Sequence, residues 1–266
     1  VSWPGGKSRL LKHIIPLIPE HQCYVEPFGG GLAVFLAKKR SPLEVINDLN
    51  GDLVNFYRCV RFHSETLLTE IEFVLNSREE FYDFRTQLGL TDIQRAARWF
   101  YRNKTCFGGC DMRSFGTSAV SGGGAALGSR AARMETIRAL NVRLDRTCIE
   151  HVDWEKCVDL YDRTGTFFFF DPPYIECCDT SYAAWKPEDV KRLKARLAQL
   201  KGKWVVTLND SPTVRAIFEG CDLTPVERAK GINNRNPKSR KYRELIIRPK
   251  DLSVPPPGEC NPPPAF

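Results

Sequence analysis

Several broad classes of protein are excluded by what this chain lacks. Its 266 residues hold no apolar run long enough to cross a bilayer, and no secretory pattern opens them. Neither a membrane partner nor an export route is expected, and the cytoplasm is the expected location. Ten cysteines are present, but no two stand as Cys-x-x-Cys. The usual zinc spacing is therefore missing, and at this length a disulfide scaffold is unnecessary. Cys106 and Cys110 offer only a faint metal site, so no metal is expected and most thiols are read as buried or free. Glycines 29–31 are contiguous, which rules out the dinucleotide fingerprint. No Gly-Lys-Ser/Thr ends the run, which rules out a phosphate loop.

What remains is a chain long enough for one large domain, or one domain with an insert, carrying a net charge of +7. That charge favours a polyanionic partner over an acidic one. The most informative stretch is Thr166-Phe167-Phe168-Phe169-Phe170 running into Asp171-Pro172-Pro173-Tyr174. Four aromatics in five residues cannot face water, so a strand buried on both faces is predicted over 166–170. Proline has no N–H for a sheet ladder, so pairing stops at Pro172 and the chain there is stiff. In open α/β sheets ligands bind beyond the carboxyl ends of the strands, which is where Asp171 and Tyr174 fall. A carboxylate beside the Pro172 carbonyl gives two acceptors, a match for an NH2 group, and the Tyr174 ring offers a face for a planar base. A turn chemistry explains the prolines but not Asp and Tyr together.

Upstream, Trp3-Pro4-Gly5-Gly6-Lys7 precedes a helical pattern over 8–18. Two glycines there let backbone N–H groups approach a ligand, with Lys7 adding a cation and Trp3 an aromatic face. A short strand at 23–25 runs into Glu26-Pro27-Phe28-Gly29-Gly30-Gly31, with a helix over 32–39 after it. Strand, glycine turn and helix form the first half of a nucleotide-type α/β unit. A glycine turn without phosphate-binding residues suits a cofactor with a small polar end, such as the methionine part of S-adenosylmethionine. The next strand, 43–48, ends in Asp48 about twenty residues past the glycines, where an acid can accept both ribose hydroxyls. An N-cap by Asp48 or Asn50 is the competing reading.

From 53 to 144 the helical period dominates (53–62, 65–75, 79–88, 92–102 and 130–144), and a Gly-, Ser- and Arg-rich loop fills 103–129. Arg102, Lys104 and Arg113 stand in or beside that loop among Trp99, Phe100, Tyr101 and Phe107, a mixture suited to nucleic acid. Strands return at 147–152, reaching Asp153-Trp154, a pair able to hold the amine and face of a purine, and at 203–208. An antiparallel pair, 222–228 and 244–248, encloses a basic loop over 230–243 that includes Lys238, Arg240 and Lys241. The proline-rich 251–266 reads as an extended or disordered tail.

Taken together, these motifs resemble those of the DNA adenine methylases of the Dam type (the D12 class of N6-adenine methyltransferases). The likeness runs from Trp3 to about Arg248, in the motif order that places the recognition domain between the cofactor and catalytic motifs. It implies a Rossmann-like S-adenosylmethionine-dependent methyltransferase sheet (1–52 and 145–250) with an inserted helical target-recognition domain (53–144). It implies methylation of a flipped adenine in double-stranded DNA, with GATC as the candidate target, by a monomer or weak dimer. Asp171, Pro172, Pro173 and Tyr174 would be catalytic. Trp3, Lys7, Glu26, Phe28, Gly29, Gly30, Asp48, Asp153 and Trp154 would hold the cofactor. Arg102, Asn103, Lys104, Arg113, Phe115, Asn234, Lys238, Arg240 and Lys241 would meet DNA. The recognition loop departs from the family pattern, reading Asp111-Met112-Arg113-Ser114-Phe115-Gly116 where an Asn-Val-Pro-Phe-Gly stretch is usual. A methyltransferase of RNA or protein amines, and an inactive DNA-binding relative, are the alternatives. The intact Asp171–Tyr174 motif argues against the latter.

Overall fold

The computed structural model describes residues 3, 5–75, 77–106, 114–116, 129–175, 185–228 and 242–252. In chain order the helices are α1 (Leu11–Ile14), α2 (Ala33–Ala37), α3 (Gly51–Phe62), α4 (Ser64–Phe73), α5 (Arg78–Asp83), α6 (Asp92–Thr105), α7 (Arg130–Leu144), α8 (Trp154–Tyr161), α9 (Pro187–Leu197) and α10 (Pro212–Ile217). The strands are β1 (Cys23–Glu26), β2 (Leu43–Asn47), β3 (Thr147–Glu150), β4 (Thr166–Phe170), β5 (Lys203–Asn209), β6 (Asp222–Arg228) and β7 (Tyr242–Arg248). The chain divides into two compact units. One takes Val1–Gly6, Asp48–Val152 and Ala265–Phe266, and the other takes Lys7–Asn47 and Asp153–Pro264.

Six of the seven strands belong to the second unit, in the order β2-β1-β4-β5-β7-β6. The β1–β2, β1–β4 and β4–β5 pairs are parallel, and β7 runs antiparallel to both β5 and β6. All five β4 residues are buried, as an all-aromatic central strand requires. Phe168 and Phe170 share one face, their rings stacked at 5.7 Å. Phe167 points the other way and stacks on Tyr24 of β1 at 6.0 Å. Period-two alternation thus feeds aromatics into both faces of the sheet. At the opposite end of β4 from Asp171, the Asp162 carboxylate accepts from the Lys201 and Gly202 amides at 2.9 and 3.0 Å. Gly202 has no room for a side chain there: a Cβ would lie 2.7 Å from the Thr166 carbonyl oxygen.

The first unit is helical, with α3 packing on α6 and α7. Phe56 and Phe100 stack nearly parallel at 5.4 Å, and Trp99 lies 5.2 Å from Phe56. Its one strand, β3, has two carbonyls taken up by α3: Arg58 donates to Ile149 and Arg61 to Thr147. A smaller cluster of Phe81, Tyr101 and Cys106 gathers Phe84 and Phe115 around it.

Two expected helices are shorter than the hydrophobic period suggests. The pattern over 8–18 is broken into 3-10 turns at Lys7–Arg9 and Ile15–Leu17 around α1, because Pro16 cannot donate within a helix. The pattern over 79–88 stops at Asp83, where Arg85 and Thr86 turn back onto Tyr82 and Asp83 with three-residue spacing.

Candidate active site

The sheet's carboxyl edge is built from three strand ends. β1 leads into the glycine bend, β4 into Asp171, and β5 supplies Thr207. The last paired residue of β4 is Phe170, opposite Val206, so Asp171 is the first residue free of the ladder. Pro172 is buried, and Pro173 and Tyr174 are half-buried.

Asp171 is held by one of its two oxygens. Lys7 Nζ lies 2.6 Å from Oδ1, and the Thr207 hydroxyl donates to the same oxygen at 2.9 Å. Among the described residues nothing donates to Oδ2. Lys7 is 3% exposed and Asp171 23%, so the ion pair is largely withdrawn from water while the carboxylate keeps one open side. The Lys7 ammonium also stands 5.0 Å from the centre of the Tyr174 ring. The sequence reading gives Lys7 to the cofactor. The structure gives its ammonium to Asp171, the strongest acceptor within reach.

The glycine bend is strapped to the end of β2. Gly29 N–H donates to the Asn47 carbonyl at 2.7 Å, and Asn47 Nδ2 donates to the Pro27 carbonyl at 2.9 Å. A Cβ on Gly29 would meet that Asn47 oxygen at 3.1 Å and Leu32 at 3.2 Å. Gly30 and Leu32 both lie in the left-handed region, with φ of 48° and 57°. The bend is therefore a close backbone approach, in which a side chain on Gly29 would press on the Asn47 carbonyl. Phe28 at its apex packs against Trp154 at 6.0 Å and edge-on against Trp185 at 5.4 Å.

Glu26, expected to hold the cofactor, lies in the core of the sheet unit. It is 2% exposed, and the Tyr24 hydroxyl donates to its Oε1 at 2.6 Å. Burial lifts its pKa to about 8, against the opposing pull of the Tyr24 and Phe35 hydrogen bonds, so it is mostly protonated at neutral pH. Asp153 caps α8 by accepting from the Glu155 amide at 2.9 Å. Trp154 is buried, and its indole Nε1 has no hydrogen-bond partner among the described residues.

Within the helical unit, Asp48 accepts from the Asn50 amide at 2.8 Å, and it is Asn50 that caps α3. Trp3 packs on Trp99 at 6.3 Å. Arg102 is half-buried, its guanidinium 5.8 Å from the Phe81 ring, and burial and the neighbouring Arg85 charge lower its pKa. Lys104 is half-buried over Phe100, its pKa also lowered by burial. Asn103, expected to meet DNA, is 1% exposed on α6. Phe115 likewise serves the Phe81 cluster, with its ring 5.5 Å from Phe81. Arg113, Asn234, Lys238, Arg240 and Lys241 lie outside the described residues.

Sequence reading missed Thr207, Asn47 as the strap, and Trp185. Thr207 gave one faint signal, a lone hydroxyl inside an otherwise apolar buried strand.

A glycine bend at the end of β1 and a carboxylate with two prolines at the end of β4 define an α/β enzyme that carries out group transfer at a strand edge. The chain belongs to the D12 class N6 adenine-specific DNA methyltransferases, whose family model matches residues 3–232. It is 29% identical to the Type II methyltransferase M1.LlaDCHI of Lactococcus lactis subsp. cremoris, with 92% of this chain and 93% of that protein covered. It is 25% identical to the Type II methyltransferase M.CviBI of Paramecium bursaria Chlorella virus NC1A, over 86% and 89% of the two chains. A DNA adenine methylase of Serratia marcescens is 28% identical over 41% of this chain and 42% of its own. The protein is thus an adenine-specific DNA methyltransferase with a methyl donor and a DNA substrate. Among the described residues no helix is long and apolar enough to cross a membrane, and no cluster of side chains is suited to a metal.

Proposed function

We propose that the enzyme transfers a methyl group from S-adenosylmethionine to the exocyclic amine of an adenine flipped out of duplex DNA. The observation that carries this reading is Asp171: a carboxylate pinned through Oδ1, with Oδ2 left to accept, directly before the Pro172 carbonyl. Those two acceptors hold the two amine hydrogens of adenine. Accepting both draws the nitrogen lone pair out of the ring, so positioning and electrostatics supply the rate. No strong base is needed, because the proton leaves only once the nitrogen has become cationic. Tyr174 stacks on the extruded base.

The residues fit the donor. The glycine bend permits close backbone approach, Phe28 and Trp154 give an aromatic wall, and the buried Trp154 N–H lacks a partner among the described residues. Asp153 stands beside Trp154 for the adenine amine, and the ribose is assigned to Asp48 from the sequence motif alone. S-adenosylmethionine, when bound, supplies the electrophilic sulfonium methyl. The helical unit is assigned to DNA contact through Arg102 and Lys104, together with Arg113 and the 230–243 loop. The action is placed in the cytoplasm.

The test is to expose unmethylated genomic DNA to the purified protein and S-adenosylmethionine, then read modified bases directly by sequencing. N6-methyladenine at one recurrent short sequence, with GATC the first candidate, is the expected result. Modification of RNA or protein alone would overturn the reading.

A further inference from the structure

We propose that Thr207 is a positioning residue for methyl transfer, fixing which oxygen of Asp171 meets the adenine amine. The inference rests on the reading of Asp171 as an amine acceptor, and it deepens that reading.

Thr207 is fully buried on β5, in the run Trp204-Val205-Val206-Thr207-Leu208, where every neighbour is apolar. A valine there would have the same shape, favour the strand equally and bring no polar atom to satisfy. The hydroxyl therefore needs an explanation. Its one proton has two acceptors in range, the Asp171 Oδ1 at 2.9 Å and the Phe170 carbonyl at 3.4 Å. The first is shorter and charged, so the proton belongs to Asp171.

Lys7 alone would not fix the carboxylate. An ammonium is a compact charge on a flexible stem, and it attracts either oxygen almost equally as the group rotates. A hydroxyl on a paired strand cannot follow that rotation. Thr207 sits on β5 next to the Phe170–Val206 pair, where antiparallel pairing with Ile246 also locks the backbone. With both donors on Oδ1, the Asp171 plane is set and Oδ2 has no donor among the described residues. Placement errors of about 1 Å in such a group can cost a hundredfold in rate.

The test compares Thr207→Val, Thr207→Ser and Asp171→Ala in single-turnover methyl transfer with preformed enzyme–DNA complex, alongside donor affinity and melting temperature. Thr207→Val is expected to slow the transfer roughly 10- to 50-fold, with donor affinity within about twofold and an unchanged or higher melting temperature. Thr207→Ser keeps the hydroxyl and is expected to recover to within about threefold of the parent rate. An inactive Asp171→Ala beside a fully active Thr207→Val overturns the role of Thr207 and leaves that of Asp171 standing. An active Asp171→Ala overturns both. Equal slowing by the Val and Ser variants, or a loss of rate that merely tracks a lower melting temperature, also overturns the positioning role.

Discussion

Two lysines show how differently the two units of this protein handle charge. Lys7, in the sheet unit, is almost wholly buried, and its ammonium is met by a carboxylate at 2.6 Å. Lys104, in the helical unit, is half-buried over a Phe100 ring, and among the described residues no carboxylate reaches it. Burial lowers its pKa with nothing to oppose the shift. The sheet unit pairs a second buried lysine in the same way, Lys38 with Glu44 at the Tyr24 ring. Charge balanced in this way fixes geometry, which a reaction needs. A cation desolvated without a carboxylate makes no such contribution to geometry.

The contrast is sharpest at Asp171. Asp171→Ala should lower single-turnover methyl transfer by about a thousandfold or more, measured with duplex DNA and labelled donor. It should also lower the melting temperature, because Lys7 keeps its buried charge without its partner. The double change Lys7→Met with Asp171→Ala should restore the melting temperature but not the activity. If stability stays low in the double variant, the pair is not the internal balance described above.

Glu26 gives a second, smaller effect. Its pKa is raised from about 4.5 to about 8 by burial, so the folded state holds a proton that the unfolded chain releases. Stability is then highest below about pH 4.5 as far as this group is concerned, and it falls as pH rises through the window up to about 8. The loss is at most about 5 kcal/mol by linkage. Glu26→Gln keeps the shape without the titration. Denaturant unfolding of the two proteins should diverge across that window, with the variant more stable at the alkaline end. Parallel curves from pH 5 to 9 would show that Glu26 titrates normally.

The smallest effect is expected at Lys104. Lys104→Met should leave stability unchanged or raise it by under about 1 kcal/mol, since a desolvated cation is replaced by an apolar side chain. It should weaken DNA binding and reduce the slope of log affinity against log salt by about one. An unchanged slope in a salt titration would make Lys104 an ordinary part of the helical core and erase the contrast with Lys7.

Much of the architecture was legible because its signals are local. Five consecutive buried residues ending at a double proline could be little other than a central strand, and β4 covers the predicted span. The strand at 222–228 and the helix at 130–144 also stand where periodicity puts them. Capping chemistry was less decisive. Asp48 and Asn50 are equally good caps on paper, and the choice of Asn50 depends on the backbone turning so that its oxygen meets the Leu53 amide at 3.0 Å. Asn103 shows the limit of neighbourhood in sequence: it stands between Arg102 and Lys104, both half-buried, but its place on α6 leaves it 1% exposed. Helical phase, rather than neighbourhood in sequence, decides that.

The sequence by itself settled the family and the central strand, and it singled out Asp171 at that strand's end, because each rests on residues adjacent in the chain. Only the tertiary structure decided what holds that carboxylate. Lys7, Asp171 and Thr207 are separated by 164 and 36 residues, and no periodicity or motif spacing links them. They meet because parallel pairing sets β5 beside β4, and because a buried cation and a buried hydroxyl each had to find an acceptor when water was removed.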